Sequence, residues 1–427
     1  MIKGRTIICK TMIFVIVVSS LSFLPLTKVY ADDPLIIVLD PGHGGENLGA
    51  EYLDYTEKNM TMILAHTMKE ELEKYDNVEV YLTHETDVDM SIKDRAAFAQ
   101  DKNADFLFCL HFNMSVHHNL FGAEVWVPAT GSYFSKGYSF AEIQMAEFEA
   151  LGLYSRGIKT KLNNDNLNYY GILRYCTENQ IPSALIEHCH LDHPKDQPFY
   201  QSGEEQLKAF GRLDATAVAK YFKLQSTELG VDYSGFQVPE CEIPDGIVRP
   251  DETAPELSQI EIVNKNEETG EITIQMKAED ADSYILYCNY SLDGGNTYSD
   301  LMEWPRPERW DASLNEYTFT ITVPFGQEID LRSNAYNGFD VWTESNVITI
   351  DAMEDPAIKA EEEKRKEEEA KKAYEEIVYD ETVVTAPEQV PSWPIMATVA
   401  IIILLMLIVT AVLISNLKLL RKGKRKK

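Results

Sequence analysis

Apolar runs that end abruptly on polar residues dominate the first half of this chain. Leu35-Ile36-Ile37-Val38-Leu39 stops at Asp40-Pro41-Gly42-His43-Gly44-Gly45. A short apolar run closed by proline and glycine reads as a buried strand followed by a turn. Phe106-Leu107-Phe108-Cys109-Leu110 runs in the same way into His111, and Ser183-Ala184-Leu185-Ile186 into Glu187. Between these strands, Met60, Ile63, Leu64, Met68 and Leu72 recur at helical spacing. Residues 78–82 and 123–127 read as further strands, and residues 140–151 and 204–222 as helices. Ser91-Ile92-Lys93-Asp94 has the form of a helix start with a variant capping box. Strands and helices alternating over residues 34–225 predict an α/β layer architecture.

The texture then changes. Residues 226–253 are polar and proline-bearing, which reads as a linker. Over residues 254–351 the pattern is short alternating strands, at 271–276, 284–290, 317–323, 330–335 and 346–350. Regular turns between them predict a small all-β sandwich of immunoglobulin or fibronectin type. Ser291-Leu292-Asp293-Gly294-Gly295-Asn296-Thr297-Tyr298 resembles the Asp-box hairpin of sialidases and related propellers. One copy cannot build a propeller, so it predicts a hairpin turn. Residues 352–378 are rich in Glu, Lys and Ala, with Glu361/Arg365, Glu362/Lys366, Glu367/Lys371 and Glu368/Lys372 at the favourable i,i+4 spacing. Without a sustained apolar stripe they predict a solvated helical spacer. Residues 379–393 lead on as a second linker.

The two ends carry topological signals. Residues 1–31 combine a basic start (Lys3, Arg5, Lys10), a short apolar core and a small-residue end at Ala31, the pattern of a secretory signal peptide. Residues 394–417 are nearly free of charge and match the ~20 residues that cross a bilayer. The tail at 418–427 is basic, which places it in the cytoplasm by the positive-inside rule and everything before the span outside. The expectation is a single-pass cell-membrane protein with its folded part extracellular. A net charge of -30 makes nucleic acid an unsuitable partner, since the one basic cluster is the topology signal. Of six cysteines, Cys9 lies in the signal; the other five show no zinc-ribbon spacing, and Cys109 and Cys288 read as buried apolar residues.

Three strands that each deliver a His or Glu at the tip point to a metal hydrolase site, because open α/β sheets assemble their sites at strand ends. Catalytic zinc takes three protein ligands and keeps one position open. His43 and His111 are natural nitrogen ligands. Glu57 begins the first long helix, where the helix dipole alone would favour an acid, yet its place between the two histidines makes it the third candidate ligand. Glu187 remains as the carboxylate suited to take a proton from the attacking water.

On these residues the chain resembles the zinc-dependent N-acetylmuramoyl-L-alanine amidases of the type 3 autolysin family. The resemblance covers residues 35–222. It is carried by Asp40 to Gly45, Glu57-Lys58, Leu82-Thr83 through Asp87, Ser91-Ile92 with Arg95, Ala104 through Asn113, Arg156 to Lys159, Leu173-Arg174, and Pro182 through Glu187. It implies a mixed, largely parallel sheet with helices on both faces. It also implies His43, Glu57 and His111 as zinc ligands, Glu187 as general base, and hydrolysis of the amide between N-acetylmuramic acid and L-alanine in peptidoglycan. Arg174 and Asn113 are candidates to position substrate, Arg174 equally for a structural ion pair. His84 and Cys109 depart from the family, which often has Arg and Ser there, and Glu187 is followed by His188-Cys189-His190. His190 and His193 offer an outer contact or an extra metal site, and Cys109 with His111 a nucleophilic pair. A catalytically silent wall-binding or regulatory ectodomain, and a zinc peptidase, are the competing functions. For the β-sandwich, a spacer, a wall-binding module and a protein-binding module all fit.

Overall fold

A computed structural model describes residues 33–307, 312–381 and 406, with side chains of the last helix to residue 376. The expected signal peptide (1–31) lies outside the described residues, as does the expected membrane span (394–417) apart from residue 406. Among the described residues no helix is long and apolar enough to cross a membrane. The chain divides into two units, residues 1–353 and 354–427.

The strands of the first unit are β1 (Leu35–Pro41), β2 (Glu51–Tyr52), β3 (Tyr55–Thr56), β4 (Val78–Leu82), β5 (Phe106–Asn113), β6 (Ala123–Trp126), β7 (Ser155–Lys159) and β8 (Ser183–His190). Its helices are α1 (Glu57–Leu72), α2 (Ile92–Asp101), α3 (Gly131–Leu151), α4 (Gly171–Glu178) and α5 (Glu204–Tyr221). Six strands form one sheet in the order β4-β1-β5-β8-β6-β7. All neighbours are parallel except β6, which runs antiparallel to β8. The expected mixed, largely parallel sheet is what forms.

Strand alternation explains why both faces are covered. Ile37 and Leu39 of β1 point to one face and join Met60, Leu64 and Met68 of α1, Phe140 and Phe148 of α3, and Phe210 of α5. Val38, between them, points to the other face with Ala96 and Ala99 of α2 and Ile172 and Leu173 of α4. A strand buried on both sides must be apolar throughout, which is why β1 reads as an unbroken run. Ser91 caps α2 by accepting the Asp94 N–H, as its sequence predicts. Helix α3 begins at Gly131, nine residues before the expected start.

The stretch 226–253 carries a small ladder of β9 (Gln225–Ser226) with β10 (Val231–Asp232). Beyond it the stretch is bonded along the α/β domain: Val248 N–H donates to Ala129 O, Thr160 Oγ1 to Val248 O and Ser135 Oγ to Cys241 O. The all-β part follows as β11 (Leu257–Asn266), β12 (Glu271–Glu279), β13 (Ile285–Ser291), β14 (Met302–Glu303), β15 (Glu316–Thr322), β16 (Ile329–Asn337), β17 (Trp342–Glu344) and β18 (Ile348–Ile350). Strands β11-β12-β15 form one antiparallel sheet and β14-β13-β16-β17 the other, with β18 on β16. Ile272, Ile274, Met276, Phe319 and Ile321 of the first face Cys288, Leu331 and Ala335 of the second in a shared core. The Asp-box resemblance is a closed turn: Asp293 accepts from Asn296 N, Thr297 N, Thr297 Oγ1 and Ser291 Oγ.

The second unit contains the charged helix α6 (Pro356–Glu381). Its Glu362 and Lys366 approach to 3.9 Å as expected, whereas Arg365 pairs with Glu369. Such exposed pairs add little stability.

Candidate metal centre

His43 sits just past the end of β1 with φ 69°, a left-handed conformation that costs a non-glycine residue ~1–2 kcal/mol. Arg95 of α2 holds it there. The guanidinium donates to the carbonyls of Met90 (2.9 Å), Pro41 (2.6 Å) and His43 (2.5 Å), and to Asp40 Oδ1 (2.9 Å). Asp40 is buried and also accepts from Thr83 Oγ1 and Cys109 Sγ. The glycine turn is therefore pinned to the sheet by one cation with several acceptors, and the imidazole projects over the strand ends.

Glu57 is the first residue of α1, reached through the β2–β3 hairpin. Its N–H donates to Ala50 O, while its Oε2 accepts from Ala50 N–H and its Oε1 from Phe112 N–H. Both oxygens are fixed before any ligand is considered. His43 Nε2 lies 3.0 Å from Oε2, and His111 Nδ1, at the end of β5, lies 2.9 Å from Oε1. Burial opposes charge on Glu57, but the hydrogen bonds from His111 and His43 outweigh it and hold the carboxyl far below the usual carboxylate range. One donor atom from each of His43, Glu57 and His111 lies within 4.8 Å of the other two. A Cβ on Gly49 would come within 2.5 Å of both Glu57 Oε2 and His43 Cδ2, so the loop closes on the triad as only glycine can. Two imidazoles and one carboxylate in an accessible cleft fit a catalytic zinc, which binds such sets with a coordination position open.

Glu187 lies within β8, opposite His111 in the sheet register; the strand does not stop there as the sequence suggested but continues through His188-Cys189-His190, all buried. Glu187 lines the same cleft, of about 520 Å³, with His43, Glu57, His111, Asn113 and Tyr170. One of its oxygens, Oε2, is buried without a hydrogen-bond partner. Burial, then the charges of Glu57 and Glu124, push its carboxyl well above the usual range. A desolvated carboxyl in the same cleft as the His43–Glu57–His111 triad is suited to move a proton.

Residues 37–219 match the family model described as N-acetylmuramoyl-L-alanine amidase. The domain belongs to that family. Over 104 residues the chain is 34% identical to the N-acetylmuramoyl-L-alanine amidase AmiC of Escherichia coli O6:H1, covering 24% of this chain and 25% of the relative. It is 27% identical over 191 residues to the amidase CwlM of Bacillus licheniformis, covering 44% of this chain and 69% of the relative. The first curated relatives are thus matched over only about a quarter of their length, 25% and 22%. Among solved structures, Cwp6 from Clostridium difficile aligns with 44% of this chain and 30% of its own at 25% identity and a TM-score of 0.42. The catalytic domain of CwlV from Bacillus (Paenibacillus) polymyxa var. colistinus aligns with 45% and 99% at 23% identity and a TM-score of 0.38.

Other residues singled out in the sequence are placed as follows in the amidase domain. Asn113 lines the cleft, with Nδ2 donating to Glu124 Oε1 at 3.0 Å and Oδ1 accepting from Met114 N–H. Arg174 donates from Nη1 to the carbonyls of Asn168 and Tyr169 and lies outside the residues lining the cleft. Cys109 donates to Asp40 Oδ2 at 3.1 Å, and burial followed by the Asp40 charge pushes the thiol well above its ordinary pKa. A buried thiol bonded to Asp40 and held protonated argues against the nucleophilic pair with His111, because the thiolate is the nucleophile. His84 turns Nδ1 to Thr83 Oγ1 and is buried beside the glycine turn. Cys109, Cys176, Cys189, Cys241 and Cys288 are all free thiols, and Cys109 and Cys288 are buried as expected.

The histidines after Glu187 form no second metal site, for among the described residues His43, Glu57 and His111 are the one such grouping. His190 Nδ1 faces Gly122 O and His193 packs on Phe121. His188, whose role the sequence leaves open, has Nδ1 2.8 Å from the carbonyl of His111 and Nε2 2.8 Å from Asp214 of α5. It braces the backbone of His111, a member of the triad. The sequence signal for it is slight, an acid 26 residues away on a helix face.

Proposed function

We propose that this chain hydrolyses the amide between the lactyl group of N-acetylmuramic acid and the L-alanine of the stem peptide in peptidoglycan. In this reading one zinc ion is held by His43, Glu57 and His111, and Glu187 carries the proton. The observation that supports it most is the open two-His, one-carboxylate set with a buried, half-unpartnered Glu187 in the same cleft, inside a domain of the amidase family.

Zinc at such a site supplies a Lewis acid for the scissile carbonyl and acidifies the attacking water. The chain's own residues do the rest. Glu187 accepts the proton of that water as its oxygen bonds to the carbonyl carbon, then returns it to the alanine nitrogen as the C–N bond breaks. The free amine and the muramoyl carboxylic acid are the products. Met90, Ile92, Met114, Tyr170 and Ile172 give the cleft an apolar lining on which the substrate can rest beside the reacting atoms. Asn113 has both side-chain polar atoms bonded, so it presents a fixed wall to the substrate.

The reading includes location. The export pattern of residues 1–31 and the apolar span of 394–417 with its basic flank support an enzyme held on the outer face of a cell membrane, facing the wall.

The test is incubation of the purified full chain with defined muropeptides, with and without chelator. Intact stem peptides and free muramoyl lactate are expected, with about one zinc per chain. Cleavage within the peptide instead would establish a peptidase. Glu187→Gln is expected to keep the metal and lower kcat by ~10²–10⁴-fold; unchanged turnover would remove Glu187 from the mechanism.

A further inference from the structure

The β-sandwich is built into the amidase domain. Phe121 packs with Leu286, Tyr287 and Leu301, flanked by Tyr154 and Tyr284. Tyr284 OH donates to Arg156 O, Tyr154 OH to Leu286 O, and Tyr287 OH to Phe121 O. Lys195 pairs with Glu303 at 2.7 Å at the exposed margin.

At the centre of this contact lie charges that the amidase domain does not balance alone. Arg156 and Lys159, both on β7 and both buried, converge on one carboxylate of their own domain. Arg156 Nε is 2.9 Å and Lys159 Nζ 2.8 Å from Glu124 Oε2. The second carboxylate comes from the sandwich, where Asp340 Oδ2 lies 2.7 Å from Arg156 Nη2. Tyr287 OH completes the guanidinium's set at 3.0 Å from Nη1. Two buried cations with a single anion would leave one charge uncompensated, which is strongly unfavourable.

Asn113, which lines the cleft, bonds to the same Glu124. Its other oxygen accepts from Asn113 Nδ2 and Trp126 Nε1, and it stands opposite Glu187 in the β6–β8 register. We propose that Asp340 of the β-sandwich is a positioning residue of the amidase site: it fixes Arg156, Arg156 fixes Glu124, and Glu124 fixes Asn113 and the strand that faces Glu187. The sandwich is then a working part of the hydrolase, beyond any role as spacer or wall-binding module. This rests on the amidase reading above.

The test compares full-length wild type, Asp340→Asn, Asp340→Glu and Lys195→Ala. Asp340→Asn keeps shape and removes the charge; Lys195→Ala breaks an ion pair of the same interface that does not touch Glu124. The measurements are kcat and KM on one muropeptide, melting temperature, and amide hydrogen exchange over residues 123–126 and 183–190. Asp340→Asn is expected to lower kcat by about tenfold or more with KM within about threefold. Asp340→Glu should recover most of the loss, and Lys195→Ala should stay within about twofold of wild type. Exchange in the two strands should quicken in Asp340→Asn only. The proposal is overturned if Asp340→Asn turns over like wild type, or if both interface variants lose kcat in proportion to melting temperature. If wild type itself cleaves no muropeptide, the amidase reading fails, and exchange still decides the relay: selective loosening in Asp340→Asn upholds it, and equal behaviour of the two variants ends it.

Discussion

Arg95 donates to the carbonyl of His43 across 2.5 Å, and His43 is the metal-triad residue with a left-handed backbone. The same guanidinium ties down Met90, Pro41 and Asp40. A lysine carries the charge but not the planar fork, so it cannot make these bonds together. Arg95→Lys is expected to weaken zinc binding by ~10–100-fold, as loss of outer support does at metal sites. Competition with a chromophoric chelator measures it, and wild-type affinity would show that the clamp does not set His43.

Gly49 and Gly152 both have positive φ, 72° and 94°, but only one is crowded. A methyl at Gly49 meets Glu57 and His43 at 2.5 Å, whereas nothing lies within 4 Å of a Cβ at Gly152. Each alanine variant should lose ~1–3 kcal/mol through backbone strain. Gly49→Ala alone should also lose its zinc and its hydrolytic activity. Metal analysis of the two purified variants separates them, and a zinc-loaded, active Gly49→Ala would contradict the packing described.

Cys109 is a buried donor to Asp40, with its thiol held protonated by burial and the neighbouring carboxylate. Serine makes the same bond. Cys109→Ser is expected to keep kcat within about threefold of wild type, and thiol alkylation should leave the native enzyme active. A large loss with zinc retained would restore the cysteine nucleophile.

Two groups near the site give stability opposite dependences on pH. Burial, then the charge of Arg156, lowers His190 from 6.5 to about 3. Its folded-state advantage is therefore complete above pH 6.5 and is lost as pH falls towards 3. Asp196 is raised by burial from 3.8 to about 6, so its contribution is complete below 3.8 and is lost as pH rises through 6. Each can supply a slope of at most ~1.4 kcal/mol per pH unit. Between pH 4 and 6 the two therefore oppose. On acidification over that range His190→Gln should gain stability relative to wild type, because the cost of keeping His190 neutral is gone while the Asp196 contribution stays. Urea unfolding at half-unit pH steps measures the difference, and parallel profiles for the two proteins would disprove the assignment.

Local pattern was enough for much of this molecule. The runs before Asp40, His111 and Glu187 are apolar because those strands are buried on both faces, and that requirement is written in consecutive residues. The Ser91 cap and the alternation in β12 and β15 are local for the same reason. Where physical origin is distant, the reading was incomplete. Strand β7, Ser-Arg-Gly-Ile-Lys, is wholly buried yet polar, because Glu124 and Asp340 neutralise its cations from elsewhere in the chain. The two carbonyls that Arg174 meets, those of Asn168 and Tyr169, belong to a turn whose path the local pattern does not specify.

Sequence alone determined which apolar runs form the buried strands and which His and Glu residues follow them, since period is a property of neighbouring residues; it did not place the strand ends, for β5 runs on past His111 and β8 past Glu187. Only the tertiary structure decided that His188 braces His111, that the sandwich supplies Asp340 to a buried arginine, and that Glu187 keeps one oxygen without a partner. Those relationships join residues far apart in the chain, and close packing in three dimensions is what brings their charges within reach.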